Sequence, residues 1–244
     1  MRIDNQILNI LDNCTVNGCV VFLPPGQLDR KNYEAVNKCL ENIGGKWDRK
    51  AKGHVFNDDP LELLDNLILT GETVDLKKQF QYFPTPEKLA CKMVEMADIK
   101  PSDVLLEPSA GQGAIVDQFP QENIKLLIEL SPNNAKILTG KGYSVRVMDF
   151  LQLNDAVADK IVMNPPFTRQ QDVDHILHAF EILKPGGTLV SIVSESPFFR
   201  ENKKSVAFRE FLEQNDAEIT DNDEGAFKES GTMVRTRIVK ITKV

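Results

Sequence analysis

The stretch Asn164-Pro165-Pro166-Phe167 combines residue types that can hold a flat polar group. It follows the stretch 160–163, which ends in three apolar residues and is typical of a short strand buried in a parallel sheet. Neither proline can donate to a sheet ladder, so both must lie beyond the end of that strand. An amide, two rigid prolines and an aromatic ring are then expected to meet at the strand's carboxyl edge. The plainer alternative is a turn that closes the strand, with Phe167 in the core.

A second candidate is the loop in "LLEPSAGQGAI", which follows another predicted strand. Gly111 and Gly113 let the backbone approach a ligand closely. A dinucleotide-binding loop has a third glycine at the position where this chain has Val116. Glu107, just ahead of the loop, is also an unfavourable neighbour for a phosphate. The loop therefore favours a ligand that has no phosphate and carries some positive charge.

Acidic residues lie at the ends of three successive predicted strands. They are Glu107, Glu129 and Asp149, and Phe150 follows the last of them. An acid at the position of Glu129 suits the two hydroxyls of a ribose. Asp149 and Phe150 offer an adenine a hydrogen-bonding group and an apolar face. A nucleoside with no phosphates and a cationic centre describes S-adenosylmethionine, so the sequence predicts this cofactor.

These residues carry a resemblance to a known family, over about two thirds of the chain from "QYFPTPEKLACKMV" onward. The sequence resembles the class I methyltransferases that methylate exocyclic amino groups, especially adenine-N6 enzymes of the Asn-Pro-Pro-Phe/Tyr type. "FPTP" matches the family's amino-terminal element, "EPSAGQG" its cofactor loop, "IEL" its ribose acid, "MDF" its adenine contact and "NPPF" its catalytic loop. This order fits the subgroup in which the target-reading part lies elsewhere.

The resemblance implies a role for each matching position. The implied cofactor-binding residues are Thr85, Glu107, Pro108, Ser109, Ala110, Gly111, Gly113, Glu129, Leu130, Asp149, Phe150 and Asn164. The implied catalytic residues are Asn164, Pro165, Pro166 and Phe167. Phe167, Phe198 and Phe227 are the implied contacts of the substrate, although Phe198 also fits a core position. Ala110 is a departure, because the family often has a bulkier residue there.

The chemistry of an aromatic amine explains why such a loop is useful. The amine is a poor nucleophile because its lone pair is delocalised into the ring, and it must become tetrahedral to attack a methyl group. Acceptors aimed at its two hydrogens stabilise the positive charge that develops. The Asn164 side-chain oxygen and the Pro165 carbonyl are candidates, and the fixed φ of proline holds that carbonyl in place. The ring of Phe167 can stack on the base.

The elements around these residues predict an α/β fold. From Gln81 onward, strands alternate with helices of a length typical of a parallel sheet covered on both faces. We therefore expect a Rossmann-like, doubly wound and mostly parallel sheet, with an antiparallel strand at its carboxyl-terminal edge. Residues 1–80 read as a small α+β domain of their own, and residues 81–244 as the methyltransferase domain.

Composition sets further bounds. The chain has 244 residues, a net charge of −7 and no apolar run of the roughly 18 residues that a membrane helix needs. Its four cysteines form no Cys-x-x-Cys pair, which suits a reducing, cytoplasmic compartment and predicts no structural metal. His175 and His178 lie three apart on a predicted helix, and without a third ligand they are expected to be surface or packing residues.

The substrate class stays open among several alternatives. Adenine in DNA is favoured, with the amino-terminal domain gripping the backbone through Trp47 and a basic hairpin that carries Lys46, Arg49, Lys50 and Lys52. An RNA adenine is the second alternative, because unpaired bases are already splayed out. The same motif occurs in enzymes that methylate a protein glutamine. The last alternative is a non-catalytic protein that binds the cofactor, although such a protein has no use for an amine-holding loop.

Overall fold

The first part of the chain folds into a small α+β unit in the computed structural model, which describes residues 3–26, 28–56, 59–71, 84–155, 158–223, 225–227 and 234–244. Its helices are α1 (Asn5–Asp12), α2 (Arg30–Asn42) and α3 (Leu61–Thr70), and its strands are β1 (Thr15–Asn17), β2 (Val20–Phe22), β3 (Lys46–Asp48) and β4 (Gly53–Val55). The strands pair antiparallel in the order β1-β2-β4-β3. One apolar core joins the three helices to the sheet, which confirms the predicted small α+β unit.

A seven-stranded sheet forms the centre of the larger unit. Its strands are β5 (Val104–Pro108), β6 (Ile124–Glu129), β7 (Val145–Val147), β8 (Ala158–Met163), β9 (Leu183–Ser194), β10 (Glu218–Asp221) and β11 (Thr236–Thr242). The order across the sheet is β10-β11-β9-β8-β5-β6-β7. Strands β5 to β9 run parallel, while β11 is antiparallel to β9 and to β10. The predicted mostly parallel sheet with an antiparallel edge is confirmed.

Helices cover both faces of this sheet, and each strand of the centre buries both of its sides. The helices are α4 (Glu87–Met96), α5 (Pro132–Gly140), α6 (Gln171–Ile182), α7 (Ser196–Phe199) and α8 (Lys203–Gln214). Along β8, Val162 packs into the core under α4, while Ile161 and Met163 pack into the core under α6 and α8. Burial on both sides explains why the second half of this strand, residues 161–163, is continuously apolar rather than alternating. None of the helices in the described ranges is long and apolar enough to cross a membrane.

The two units pack directly against each other. Leu69 of α3 is buried in the core that lies under α4, and Phe199 of α7 packs against the core of the small unit. Arg200 lies between the units with only 4% of its surface exposed. The predicted boundary between residues 80 and 81 falls in the segment 72–83, which lies outside the described residues.

Candidate active site

The carboxyl ends of four neighbouring parallel strands open into one cavity of about 720 Å³. Strands β7, β6, β5 and β8 lie side by side, so the residues that follow them meet at one edge of the sheet. Of the residues predicted from the sequence, thirteen line the cavity: Thr85, Glu107, Ser109, Ala110, Gly111, Glu129, Leu130, Asp149, Phe150, Asn164, Pro165, Pro166 and Phe167. This is the edge at which open α/β sheets bind their ligands.

The loop after β5 is tight, and its residues divide between the cavity and the core. Ser109 has a φ of 67° and Gly111 a φ of 55°, so two residues close together adopt left-handed backbone. Gly113 does not line the cavity. A Cβ on Gly113 would lie 3.0 Å from a methyl carbon of Leu138, so this glycine permits close packing against α5. Pro108 is the last residue of β5 and is also absent from the cavity wall.

Glu129 is oriented by the backbone on both sides. The Gly111 N–H donates to its Oε2 at 2.7 Å, and the Ser131 N–H donates to its Oε1 at 2.7 Å. A carboxylate oxygen has two lone pairs, so each oxygen can accept a further hydrogen bond. The fixed orientation and the remaining acceptor capacity suit a ligand with adjacent hydroxyl groups.

Glu107 is in a different environment, although it lies one strand away. It is 2% exposed, and burial raises the pKa of its carboxyl group well above the usual value, while the Val116 N–H acts in the opposite direction. Its Oε2 is buried without a hydrogen-bond partner among the described residues. A buried polar atom left in this way destabilises the protein unless another group supplies a donor. Glu107 therefore fits a ligand that brings a donor or a cation into the cavity.

The loop after β8 is fixed to the segment ahead of α4. The Asn164 Nδ2 group donates to Thr85 Oγ1 at 3.1 Å, across 79 positions of sequence. Pro165 is buried, and Phe167 is only 8% exposed. The ring of Phe167 lines the cavity and also belongs to the core under α4. The two alternatives given for this residue, a site residue and a core residue, are therefore compatible. Of the "FPTP" element, Phe83 lies outside the described residues.

The backbone just after this loop adopts an uncommon conformation. Arg169 and Gln170, neither of them glycine, have φ values of 55° and 57°. A non-glycine residue in the left-handed region costs roughly 1–3 kcal/mol and persists only where its surroundings hold it. The strained residues begin two positions beyond Phe167, directly after the predicted catalytic loop.

Helix α6 contributes residues that the sequence did not assign to the site. Gln171 and His175, one turn apart at the start of this helix, both line the cavity. Burial lowers the pKa of His175 to about 4, so its ring is neutral near pH 7. Its Nδ1 lies 3.5 Å from Ser109 Oγ, and its ring centre is 5.4 Å from that of Phe150. The sequence signal that could have indicated these residues was the start of α6, four residues after Phe167.

The amino-terminal unit also forms part of the cavity wall. Asn66, Leu69 and Thr70, spaced as one face of α3, line it from the side of the small unit. Sequence reasoning missed these residues because no local pattern indicates which distant surface a helix will contact. Their spacing of three and four positions is the one signal that was available.

Two residues predicted to contact the substrate, Phe198 and Phe227, pack within the larger unit. The ring of Phe198 lies 4.3 Å below the Arg237 guanidinium and packs edge-on to Phe208. Phe227 is fully buried in the core that also contains Phe167. Neither ring lines the cavity, because both are taken up by packing within the larger unit. Residues 228–233 of the same late loop lie outside the described residues.

In the part of the chain that the structure describes, no group of three or more His, Cys, Asp or Glu side chains could hold a metal ion. Asp149 is engaged locally, since its Oδ1 accepts from the Leu151 N–H at 3.0 Å.

Comparisons with known proteins identify the fold. The M protein of the type I restriction enzyme EcoKI shares 17% identity and a TM-score of 0.58, covering 97% of this chain and 56% of that one. The methyltransferase subunit of a type I restriction-modification system from Streptococcus thermophilus shares 17% identity and a TM-score of 0.59, covering 75% and 48%. The fold is therefore the Rossmann-like fold found in these methyltransferases, and the match to the EcoKI M protein includes the small unit.

A protein with a similar sequence is also a methyltransferase. Ribosomal RNA small subunit methyltransferase A of Thermotoga neapolitana is 29% identical over 103 residues, which is 39% of this chain and 40% of that protein. No model of a known protein family matches the chain. The chain spans about half the length of the type I subunits that it matches.

Proposed function

We propose that this chain is an S-adenosylmethionine-dependent methyltransferase that methylates the exocyclic N6 amine of adenine in DNA. One observation carries the proposal: the loop Asn164–Phe167 and the acids Glu107 and Glu129 line a single cavity at the carboxyl edge of a parallel sheet. The loop can bind an amine and the acids can bind a nucleoside. Because both line one cavity, the two ligands would lie close enough to react.

The residues present fit the cofactor. Glu107 has a buried oxygen that lacks a donor, which suits the positively charged amino end of a methionine moiety. Glu129 keeps acceptor capacity for ribose hydroxyls, and a cavity of about 720 Å³ is within the usual range for such ligands. When bound, the cofactor supplies a methyl group on a positively charged sulfur.

The protein's part in the reaction is to hold and polarise the amine. The Asn164 side-chain oxygen and the Pro165 carbonyl accept hydrogen bonds from the two amine hydrogens, and these bonds strengthen as the nitrogen becomes positive. Thr85 anchors the Asn164 amide, so its orientation is set before substrate arrives. The ring of Phe167 stacks on the base and keeps its plane against the loop. The extra proton leaves the nitrogen after the transfer.

DNA is the favoured substrate for two reasons. The similar M subunits belong to type I restriction-modification systems, as their names state. The small unit also exposes a basic hairpin with Trp47 at 42% exposure, in a protein whose net charge is −7. A duplex adenine must be flipped out of the stack, which costs a few kcal/mol. RNA is the second candidate, supported by the similarity to a ribosomal RNA methyltransferase.

Product analysis tests the proposal. The purified protein is incubated with cofactor labelled on its methyl group and with DNA, RNA or a protein mixture, and the products are digested and analysed by mass spectrometry. We expect labelled N6-methyladenine from DNA. Label on RNA adenine would identify RNA as the substrate in place of DNA. Label on cytosine or glutamine would overturn the adenine assignment.

The variant Asn164→Ala tests the role of the loop. Because it removes one acceptor for the developing charge, we expect turnover to fall by roughly 100- to 1,000-fold. Cofactor affinity, measured by calorimetry, should change far less. Unchanged turnover with intact cofactor binding would remove Asn164 from the mechanism.

A further inference from the structure

Asp65 connects the amino-terminal unit to the backbone of the catalytic loop. This residue of α3 is 9% exposed, and its Oδ2 accepts a hydrogen bond from the Arg169 N–H, 104 positions away in sequence. Its Oδ1 accepts from the guanidinium of Arg200 at 3.1 Å. One carboxylate thus binds a main-chain group two residues beyond Phe167 and a buried cation of the larger unit.

The backbone that Asp65 contacts is the strained one. Arg169 and Gln170 both have left-handed φ and ψ angles, and such residues keep this conformation only where neighbouring groups hold them. The Gln170 side chain is held as well: its Nε2 donates to Ser205 Oγ, and its Oε1 accepts from Asn202 Nδ2 at 3.3 Å. Through Asp65, the small unit accepts a hydrogen bond from the main chain of this turn.

A second acid serves as an internal comparison. Asp12 of α1 lies with its Oδ1 3.2 Å from Arg200 Nε, and its Oδ2 accepts from Asn202 Nδ2 at 3.3 Å. Asp12 and Asp65 therefore share the same buried cation across the same interface. They differ in their second contact: among the described residues, Asp65 accepts a hydrogen bond from the Arg169 N–H of the turn, whereas Asp12 accepts one from the Asn202 side chain.

We propose that Asp65 is a positioning residue that holds the turn after Phe167 in its left-handed conformation and thereby fixes the amine-binding loop. The proposal rests on the function proposed above. Because Asn66, Leu69 and Thr70 of the same helix line the cavity, the small unit is part of the active site and not only a grip for nucleic acid.

The test compares Asp65→Ala with Asp12→Ala in the full chain. Each variant leaves Arg200 one acidic partner, so the loss of an ion pair with this cation is matched. We expect Asp65→Ala to lower kcat by roughly 10- to 100-fold with a smaller change in KM, since misplacing reacting groups acts on the chemical step. Asp12→Ala should keep kcat within about threefold of the unaltered protein. Equal kcat values in the two variants would overturn the proposal.

Hydrogen exchange gives a readout that does not depend on activity. In the protein without ligands, amides in the peptide 164–171 should exchange faster in Asp65→Ala than in Asp12→Ala. If the unaltered protein methylates nothing, the proposed function fails while this measurement still tests Asp65. Equal exchange rates in that peptide would reject the positioning role even in an active enzyme.

A double-mutant cycle with Arg169→Gly separates positioning from general destabilisation. Glycine adopts left-handed backbone without strain, so the turn then depends less on an external hold. We expect the kcat loss caused by Asp65→Ala to shrink by about threefold or more in the Arg169→Gly background. A loss of the same size in both backgrounds would mean that Asp65 acts through something other than this turn.

Discussion

Glu107 and Glu129 are two acids on adjacent strands that face one cavity with different partners. Glu129 has a backbone N–H on each oxygen, whereas Glu107 has an oxygen without a donor among the described residues. Burial raises the pKa of Glu107 well above its usual value of 4.5. Burial of this side chain therefore costs the folded protein stability, and this supports the contact with the cofactor proposed above.

Replacing Glu107 by Gln should therefore raise stability and weaken binding. Because the folded-state pKa lies above the unfolded-state value, the folded protein keeps a proton that the unfolded chain releases. The free energy of unfolding of the unaltered protein then falls as the pH rises above about 4.5, by about 1.4 kcal/mol for each unit of pKa shift. Glu107→Gln lacks this loss. Its advantage in Tm should grow from pH 5 to pH 8, while its Kd for cofactor increases.

Glu122→Gln is the matched control, since Glu122 is exposed just before β6. Its Tm difference from the unaltered protein should stay small and nearly independent of pH. A Tm advantage of Glu107→Gln that does not change with pH would contradict the buried, proton-retaining environment of Glu107.

At the scale of elements, the hairpin of β3 and β4 is the exposed basic feature of the small unit. Trp47 packs edge-on against the buried ring of His54, with 5.2 Å between the ring centres, and the turn after β3 is formed around Asp48. Arg49 and Lys50 are exposed and have no ion-pair partner among the described residues. This geometry fits contact with a phosphate backbone.

Removing these two charges should flatten the salt dependence of DNA binding. Each phosphate contact adds about 0.9 to the slope of log K against log salt concentration, so Arg49→Ala/Lys50→Ala should lower the slope by about 2. The control is Lys31→Ala/Lys38→Ala, which removes two exposed charges from α2 of the same unit. Fluorescence anisotropy over a salt series measures both, and equal slopes for the two variants would assign the hairpin no part in binding.

The sequence predicted those elements whose patterns act over a few neighbouring residues, and it did not predict contacts between distant segments. The strand before Asn164, the glycine loop and the acids at strand ends were predictable because apolar runs and turn residues act within a few positions. The wall formed by α3 was not, because its contact with the loop spans about a hundred residues and depends on how two units dock. The packing of Phe198 against Arg237 and Phe208 was not predictable for the same reason, because proximity in sequence to a strand end does not say which way a ring packs.

At the scale of the whole molecule, Arg200 is the buried charge that joins the two units. It is 4% exposed and lies between Asp12 and Asp65. Removing one member of such a group leaves uncompensated charge in the interior.

Arg200→Leu should therefore lower the free energy of unfolding by about 3–5 kcal/mol in urea titrations. Arg30→Ala removes an exposed pair with Glu34, and it should cost no more than about 0.5 kcal/mol. Similar losses in the two variants would show that the interface does not depend on the buried cation.

The cavity that α3 shares with the sheet limits how this protein can be re-engineered. Replacing residues 1–71 by those of a relative would exchange the three cavity-lining residues of α3 and both aspartates at the same time. A folded chimera would need α3 and the Arg169–Asn202 segment to come from the same protein. Under the function proposed above, a change in the small unit would therefore alter substrate binding and the rate of methyl transfer together.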